Sequence, residues 1–201
     1  MIYLASRSPR RRELLQQIGV KFEPLLFREG MRADTETSEA VLTGEQPDDY
    51  VRRVTRLKAE AGWQRVTMRR GLQRKPVLSA DTTVALGSEI LGKPFDRDDA
   101  ERMLKLLSGT RHRVLTAVAM IFESRFEIVV SESFVTFVTL TPEQIESYVA
   151  TGEPFDRAGS YAIQGRAGAF VERLEGSYTG VMGLPLCETA RLLREFGVTV
   201  P

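Results

Sequence analysis

Residues 76–94, PVLSADTTVALGSEILGKP, decide the architecture, because they set an acid inside a strand. With a period of two, Val77, Ser79, Asp81 and Thr83 share one face, and Leu78, Ala80, Thr82, Val84 and Leu86 share the other. The second face is apolar enough to lie on a core. The first carries a carboxylate between two hydroxyls, although aspartate is depleted in strands and its burial is unfavourable without a partner. Gly87 and Ser88 turn the chain, Ile90 and Leu91 begin a return strand, and Pro94 holds Lys93 extended. Closing this hairpin brings an ammonium near a carboxylate. A structural ion pair at a sheet edge and a catalytic pair both satisfy that pattern.

Downstream, Asp96 to Leu107 has a helical period with Ala100, Met103, Leu104 and Leu107 inward, and Gly109 follows its end. Alternating and β-branched residues over 111–122 and 125–139 predict a strand pair, with His112 at its start as a hydrogen-bonded structural histidine. Thr141-Pro142-Glu143-Gln144 joins a capping box to proline at the first helical position, so a helix begins there and Gly152 stops it. The next stretch, GEPFDRAGSYAIQGRAGAFVERLEGSYTGVMGLPL, reads as tight turns and close backbone approach. It holds no Walker A sequence and no strand-linked G-x-G-x-x-G. Asp156, Arg157, Gln164, Ser177 and Tyr178 are its hydrogen-bonding side chains. Gln164 offers donor and acceptor together and suits a base edge, while all five equally suit loop backbone. Leu186 to Phe196 closes the chain as an amphipathic helix with Cys187 toward the core.

Upstream, residues 2–5 predict a short buried strand, followed by a helix from Pro9 to Gly19 with Ser8 as its N-cap and Leu14, Leu15 and Ile18 buried. Arg10, Arg11 and Arg12 fall in its first turn, where the helix dipole already places partial positive charge. Free N–H groups and guanidinium forks converging at one end suit phosphate oxygens, and solvation accounts for at least one of the three. Arg10 and Arg11 are the stronger candidates. Lys21 to Phe27 reads as a second strand, and the acidic loop after it offers Asp34 and Glu36 to a cation. Pro47-Asp48-Asp49 starts a long helix that ends at Gly71, with Val51, Val54, Leu57 and Ala61 inward. Lys58 lies on or beside that stripe, either snorkelling outward or delivering charge to a cleft.

The 201 residues suffice for one large domain or two small lobes, and 42% hydrophobic with 27% charged content is an ordinary globular balance. A formal net charge of +1 gives no global pull toward nucleic acid or membrane, so any anion has to be held by local clustering. One cysteine excludes an internal disulfide and a multi-cysteine zinc site. The opening MIYLASRSP lacks a signal peptide's apolar core and no apolar run nears a span of ~18 residues, so a cytoplasmic chain is expected. With His112 the sole histidine, catalysis has to rest on carboxylates, lysines and arginines.

Ser6-Arg7-Ser8-Pro9-Arg10-Arg11, Lys58, Ala80-Asp81-Thr82-Thr83, Gly92-Lys93-Pro94, the run from Gly152 to Gly165 and Gly183-Leu184-Pro185-Leu186 occur together in this order. With these motifs the chain resembles, over nearly its whole length, the Maf family of nucleoside triphosphate pyrophosphatases. The ADTT, Ile163-Gln164-Gly165 and Gly176-Ser177-Tyr178 segments resemble the dTTP/UTP branch rather than its 7-methyl-GTP relative. The resemblance implies an α/β fold with an elongated mixed β-sheet and flanking helices, residues 1–201 forming one domain of two lobes around a central cleft. It implies hydrolysis between the α and β phosphates of dTTP, UTP or a modified pyrimidine nucleotide, a divalent cation (Mg²⁺ or Mn²⁺), and a homodimer. Asp81 would be the general base or hold the metal. Ser6, Arg10, Arg11, Lys58 and Lys93 would bind the triphosphate, in a reaction that depends on positioning and charge stabilisation. Glu36 matches the metal-associated acid that joins Asp81. Arg11, Thr82 and Gln164 occupy the positions that separate substrates.

The chain departs from the family pattern at Arg7, where a small residue is usual, and at Thr179-Gly180, which replaces a pair that often includes Asn. It departs again around Glu36, where the spacing lets the metal role fall to Asp34. Strand alternation sends Thr82 away from the face of Asp81, so a single site requires a bend or bulge. Two other classes of function compete. One is a non-catalytic nucleotide-binding regulator of cell division that docks through the arginine helix; the other is nucleic-acid binding through Arg65, Arg69, Arg70, Arg74 and Lys75. Neither accounts for Asp81 in a strand beside Lys93, and no nucleic-acid partner is expected.

Overall fold

A computed structural model describes residues 1–25 and 39–200, so Asp34 and Glu36 lie outside the described residues. The chain opens with β1 (Ile2–Leu4), α1 (Pro9–Gln17) and β2 (Phe22–Pro24), then enters the long α2 (Pro47–Met68). The central hairpin follows as β3 (Val77–Leu86) and β4 (Glu89–Leu91), then α3 (Arg97–Leu107), β5 (Arg111–Phe122), β6 (Arg125–Phe137) and α4 (Pro142–Ala150). After two 3₁₀ turns, Ala158–Ser160 and Arg166–Phe170, come β7 (Val171–Glu175), α5 (Tyr178–Met182) and α6 (Leu186–Glu195). The described strands form one mixed sheet in the order β2-β1-β3-β5-β6-β7, with β4 on β3. This is the α/β architecture with a mixed sheet that the resemblance implies.

Local chemistry sets the helix starts. Pro47 opens α2 with Asp48 and Asp49 in its first turn, where acids complement the dipole. Asp96 caps α3 by accepting from Asp99 N at 2.8 Å, and Thr141 and Gln144 close the expected capping box on α4. At α1 the cap position is as expected but the cap bond is not made. Ser8 sits at the N-cap without a side-chain cap bond, and its own N–H donates to Ser6 Oγ at 3.2 Å.

Both sheet faces are covered. Leu78 and Ala80 of β3 pack with Leu14 and Leu15 of α1 and Leu192 and Leu193 of α6. On the opposite face Tyr3, Val77 and Ala119 meet Ala59 and Val66 of α2. Further along, Val84, Leu91 and Val114 join α3 and α4 in another cluster. A buried aliphatic side chain stabilises by roughly 1.5–3 kcal/mol. Filling positions 79, 81, 82, 83 and 116 with hydroxyls and an acid forgoes that stabilisation in the middle of the sheet.

The register shows why those positions lie together. β5 runs along β3 from Val77↔Ile121 to Ala85↔Arg113 without a shift. On the other side β1 pairs only with Val77 and Leu78, its last bond being Ala5 N to Leu78 O at 2.8 Å, and β4 starts at Val84. Residues 79–83 therefore have an open edge among the described residues. Around such an edge, side chains from both faces reach one space, so Asp81 and Thr82 share a site with no bulge in β3. The predicted bend is unnecessary.

Other expectations are corrected as well. Cys187 is exposed rather than turned to the core, since α6 buries Thr189, Leu192 and Leu193 instead. α2 stops at Met68, short of Gly71. The glycine-rich stretch contains a strand, β7, and a helix, α5, where only turns are read from sequence.

Candidate active site

The open edge of β3 forms the floor of a cleft of about 920 Å³. Asp81 and Thr82 line it, together with Lys58 of α2, Arg10 and Arg11 of α1, and Lys93 after β4. Ser6 and Gln164 line it too, so all the site residues predicted within the described chain face one cavity.

Asp81 is positioned by the packing of α2 on β3. Ser79 Oγ donates to Thr55 O at 2.9 Å and fixes the helix against the strand. Three residues along the helix advance about 4.5 Å and two along the strand about 6.6 Å, so the next meeting point falls at Lys58 and Asp81. There Lys58 Nζ donates to Asp81 Oδ1 at 2.6 Å, and the same ammonium lies 2.6 Å from Glu39 Oε1. The partner of Asp81 is thus Lys58, in place of the Lys93 that the hairpin suggests. Lys93 instead meets Asp156 at 3.3 Å, with both side chains mostly exposed.

Charge outweighs burial in setting the proton affinities of Lys58 and Glu39. Burial alone lowers the Lys58 ammonium, but Asp81 and then Glu39 outweigh it and raise the group above its ordinary value. Burial pushes the Glu39 carboxyl up, yet Lys58 foremost, with Lys93 and Arg11, holds it below the usual carboxylate range. Tyr50 anchors this acid from behind, its hydroxyl donating to Glu39 O at 3.0 Å. Burial, then the charges of Asp81 and Glu39, raises the Tyr50 phenol above its ordinary value, so it stays a neutral donor.

Arg11 and Arg10 behave differently from simple phosphate clamps. Arg11 Nε donates to Gly183 O at 2.8 Å, Nη1 to Ser6 Oγ at 3.2 Å and Nη2 to Thr82 Oγ1 at 3.3 Å. Burial lowers its guanidinium from the ordinary value against the pull of Asp81 and Glu39. Arg10 Nε reaches Met182 O at 3.3 Å. The carbonyls ending α5 therefore aim both arginines. Arg157, half-buried in the cleft wall and lowered by burial, adds a cation there.

His112 is a structural residue, as expected. It is buried, its Nε2 lies 2.9 Å from Tyr161 Oη, and it is absent from the cleft wall. Sequence reasoning passes over Glu39 and Tyr50. Glu39 is one of several acids in an aperiodic loop, and nothing in its spacing separates it from Asp34 or Glu36.

No group of three or more His, Cys, Asp and Glu side chains among the described residues is placed to hold a metal ion. Two carboxylates, Asp81 and Glu39, converge on the Lys58 ammonium, each through one oxygen, which leaves Asp81 Oδ2 and Glu39 Oε2 as donors. That donor set fits Mg²⁺ or Mn²⁺, hard ions that take one or two carboxylates and complete their shell with water and substrate phosphates.

Fold and cleft together define an α/β protein shaped to receive a polyanion beside a pair of carboxylates. The family described as "Maf-like protein" matches residues 1–196, and the chain belongs to it. It is 57% identical over 196 residues to the dTTP/UTP pyrophosphatase of Dechloromonas aromatica (strain RCB), covering 98% of this chain and 97% of that one. Identity to the Cupriavidus metallidurans protein of the same name is 57% over 198 residues, with 98% of each chain covered. The Nitrosomonas europaea dTTP/UTP pyrophosphatase is 51% identical over 199 residues, covering 99% of this chain and 96% of that one. The structure of the Staphylococcus aureus Ham1 protein aligns at a TM-score of 0.46 and 17% identity, covering 68% of this chain and 71% of that one.

Proposed function

We propose that this chain is a nucleoside triphosphate pyrophosphatase that hydrolyses dTTP and UTP to the monophosphate and pyrophosphate. The observation that carries this reading is the Glu39–Lys58–Asp81 triad at the floor of a cleft walled by Arg10, Lys93 and Arg157. The names of the relatives, matched over almost the full chain, support the pyrimidine assignment.

Phosphoryl transfer needs little covalent help and much charge and alignment. Lys93 is the cation best placed to meet a triphosphate. Its pair with Asp156 is exposed, of a kind that contributes only about 0–1 kcal/mol. A phosphate therefore displaces Asp156 readily. Asp81 uses Oδ1 for Lys58, which leaves Oδ2 to orient the attacking water and accept its proton. Lys58 thus serves chiefly to fix the two acids rather than to neutralise phosphate. As the alternative to acting as base, Asp81 would use Oδ2 to hold the divalent cation together with Glu39; Glu36, the acid that the resemblance implies, lies outside the described residues. When bound, that cation neutralises charge building on the phosphate oxygens.

In this proposal the clusters on either side of the open edge are two lobes of one domain over 1–201, with the nucleotide between them. Among the described residues no helix is long and apolar enough to cross a membrane. A cytoplasmic setting is part of this proposal. A homodimer is expected, and no nucleic-acid partner is expected. Lys75, counted in the basic surface patch, is occupied by Glu23 at 2.8 Å.

The test is pyrophosphate release from a nucleotide panel with Mg²⁺ or Mn²⁺. Asp81→Asn should slow dTTP and UTP hydrolysis by about 10²-fold or more, the scale of general acid–base catalysis, in protein whose thermal transition shows it still folded at the assay temperature. A rate within about threefold of wild type, under ~1 kcal/mol of barrier, would remove Asp81 from this role. Nucleotide binding without turnover would favour the regulator of cell division.

A further inference from the structure

A buried chain of hydrogen bonds behind Thr82 fixes which way that hydroxyl points. Thr116, its cross-strand neighbour on β5, is 0% exposed and lies outside the cleft lining. Thr116 Oγ1 donates to Gly180 O at 2.7 Å, since a carbonyl only accepts. The two threonine oxygens lie 3.0 Å apart. A hydroxyl has one proton, and that of Thr116 is already used, so Thr82 is the donor in this pair. On its other side Thr82 Oγ1 accepts from Arg11 Nη2 at 3.3 Å. One lone pair is then all that Thr82 has left to offer the cleft.

That polarity limits what can lie against Thr82. Phosphate oxygens at neutral pH are acceptors and are repelled. A ligand group bearing N–H or O–H is required. Next to it Arg11, with three of its five N–H groups engaged, still has donors for a carbonyl. An acceptor beside a donor complements the ring N–H and adjacent carbonyl of uracil and thymine. Cytosine presents a bare ring nitrogen at the same place and leaves two acceptors facing each other.

We infer that Thr116 is a positioning residue that makes Thr82 an acceptor only, so that the cleft selects a nucleobase with a ring N–H. The inference rests on the pyrimidine triphosphate reading and adds the reason why one pyrimidine is preferred to the other. Thr116 touches no ligand. It acts through Thr82, whose hydrogen bond it accepts.

The experiment compares wild type, Thr116→Val and Thr116→Ser of the full chain on UTP, CTP and N3-methyl-UTP, reading kcat and KM for pyrophosphate release and the thermal midpoint. Valine keeps the shape and frees the Thr82 proton, and Gly180 O keeps its bond from Gly183 N at 2.9 Å. The preference for UTP over CTP should fall about tenfold in Thr116→Val, carried mainly by KM, as expected for one misdirected hydrogen bond. Thr116→Ser should restore it. Wild type should discriminate against N3-methyl-UTP and Thr116→Val should do so less. Loss of stability alone would depress both nucleotides together and leave the ratio unchanged. A UTP/CTP ratio in Thr116→Val within twofold of wild type overturns the inference. So does equal use of UTP and N3-methyl-UTP by wild type, which would place a sugar hydroxyl at Thr82 instead. If wild type releases no pyrophosphate from any nucleotide, the proposed function fails first. The polarity is then read from calorimetric binding of UMP against CMP to the same three proteins, with the same ratios expected.

Discussion

Lys58 holds two acids that would otherwise repel each other. Its side chain is 14% exposed, that of Asp81 11%, and that of Glu39 46%. Removing one member of a fully buried ion cluster costs about 3–5 kcal/mol, and the exposure of Glu39 reduces this. Lys58→Met should therefore destabilise the chain by about 2–3 kcal/mol near neutral pH, read from the urea midpoint at constant m. Glu39→Gln should cost less than half as much. Equal losses for the two would show that Lys58 acts through packing rather than charge. His112 gives a second residue-scale test. Burial lowers its imidazole from the usual 6.5 to about 4. The unfolded chain takes up a proton near pH 6.5 and the folded chain only near pH 4, so this contribution is complete above pH 6.5 and is lost as pH falls through that window. The loss is at most about 3 kcal/mol. His112→Gln should flatten the thermal midpoint between pH 7 and 4 relative to wild type. A parallel decline in both proteins would place the acid sensitivity in carboxylates instead.

Among the elements, those with local signals are legible in the sequence. Period-two alternation identifies β3, β5 and β6, a proline and two acids mark the start of α2, and a capping box marks α4, because each signal lies within a few residues of its effect. β7 and α5 are hidden for the opposite reason. Val171–Glu175 is an edge strand with both faces partly exposed, so its alternation carries no contrast, and the five residues of α5 are too few to show a helical period. The open edge of β3 is illegible too, since it depends on where β1 and β4 stop pairing with a third strand. That is why alternation alone separates Asp81 from Thr82, and why the hairpin pattern pairs Asp81 with Lys93 rather than Lys58. The cations and Asp81 are readable as residue types, whereas Glu39, Tyr50 and Thr116 enter the site through packing across the sheet. The 3₁₀ turn at Ala158–Ser160 offers a test at this scale. Gly159 has φ +67, and a Cβ there would lie 2.8–2.9 Å from the side-chain carbons of Val84. Gly19 has φ +69 with open space around it. Gly19→Ala should cost about 1 kcal/mol from backbone strain, and Gly159→Ala about 2–4 kcal/mol because overpacking adds to it. Similar values for the two would mean that Val84 yields freely and that this turn is loosely held against β3.

At the scale of the whole molecule, the cleft draws on segments that are distant in sequence and separately packed. Asp81 and Thr82 belong to the central strand, Lys58 to the helix over one face, Arg10 and Arg11 to a helix on the other, and Gln164 to the loop between the two 3₁₀ turns. A nucleotide that touches all of these binds only the assembled fold, because no single element presents more than a fragment of the site. Binding is then linked to global unfolding, and the stabilisation grows with ligand as RT ln(1 + [L]/Kd). At a concentration of 100 Kd this amounts to about 2.7 kcal/mol. For a chain of this length that corresponds to a rise of roughly 5–10 °C in the thermal midpoint. UMP, which is not hydrolysed, is the suitable ligand, with its Kd measured independently by calorimetry. The rise should appear in a single transition, since the sheet connects both ends of the cleft. A midpoint unmoved at 100 Kd would mean that the nucleotide binds the unfolded chain or a detached element equally well. A transition that splits in two would mean that the clusters on either side of the open edge unfold separately, and that the nucleotide holds only one of them.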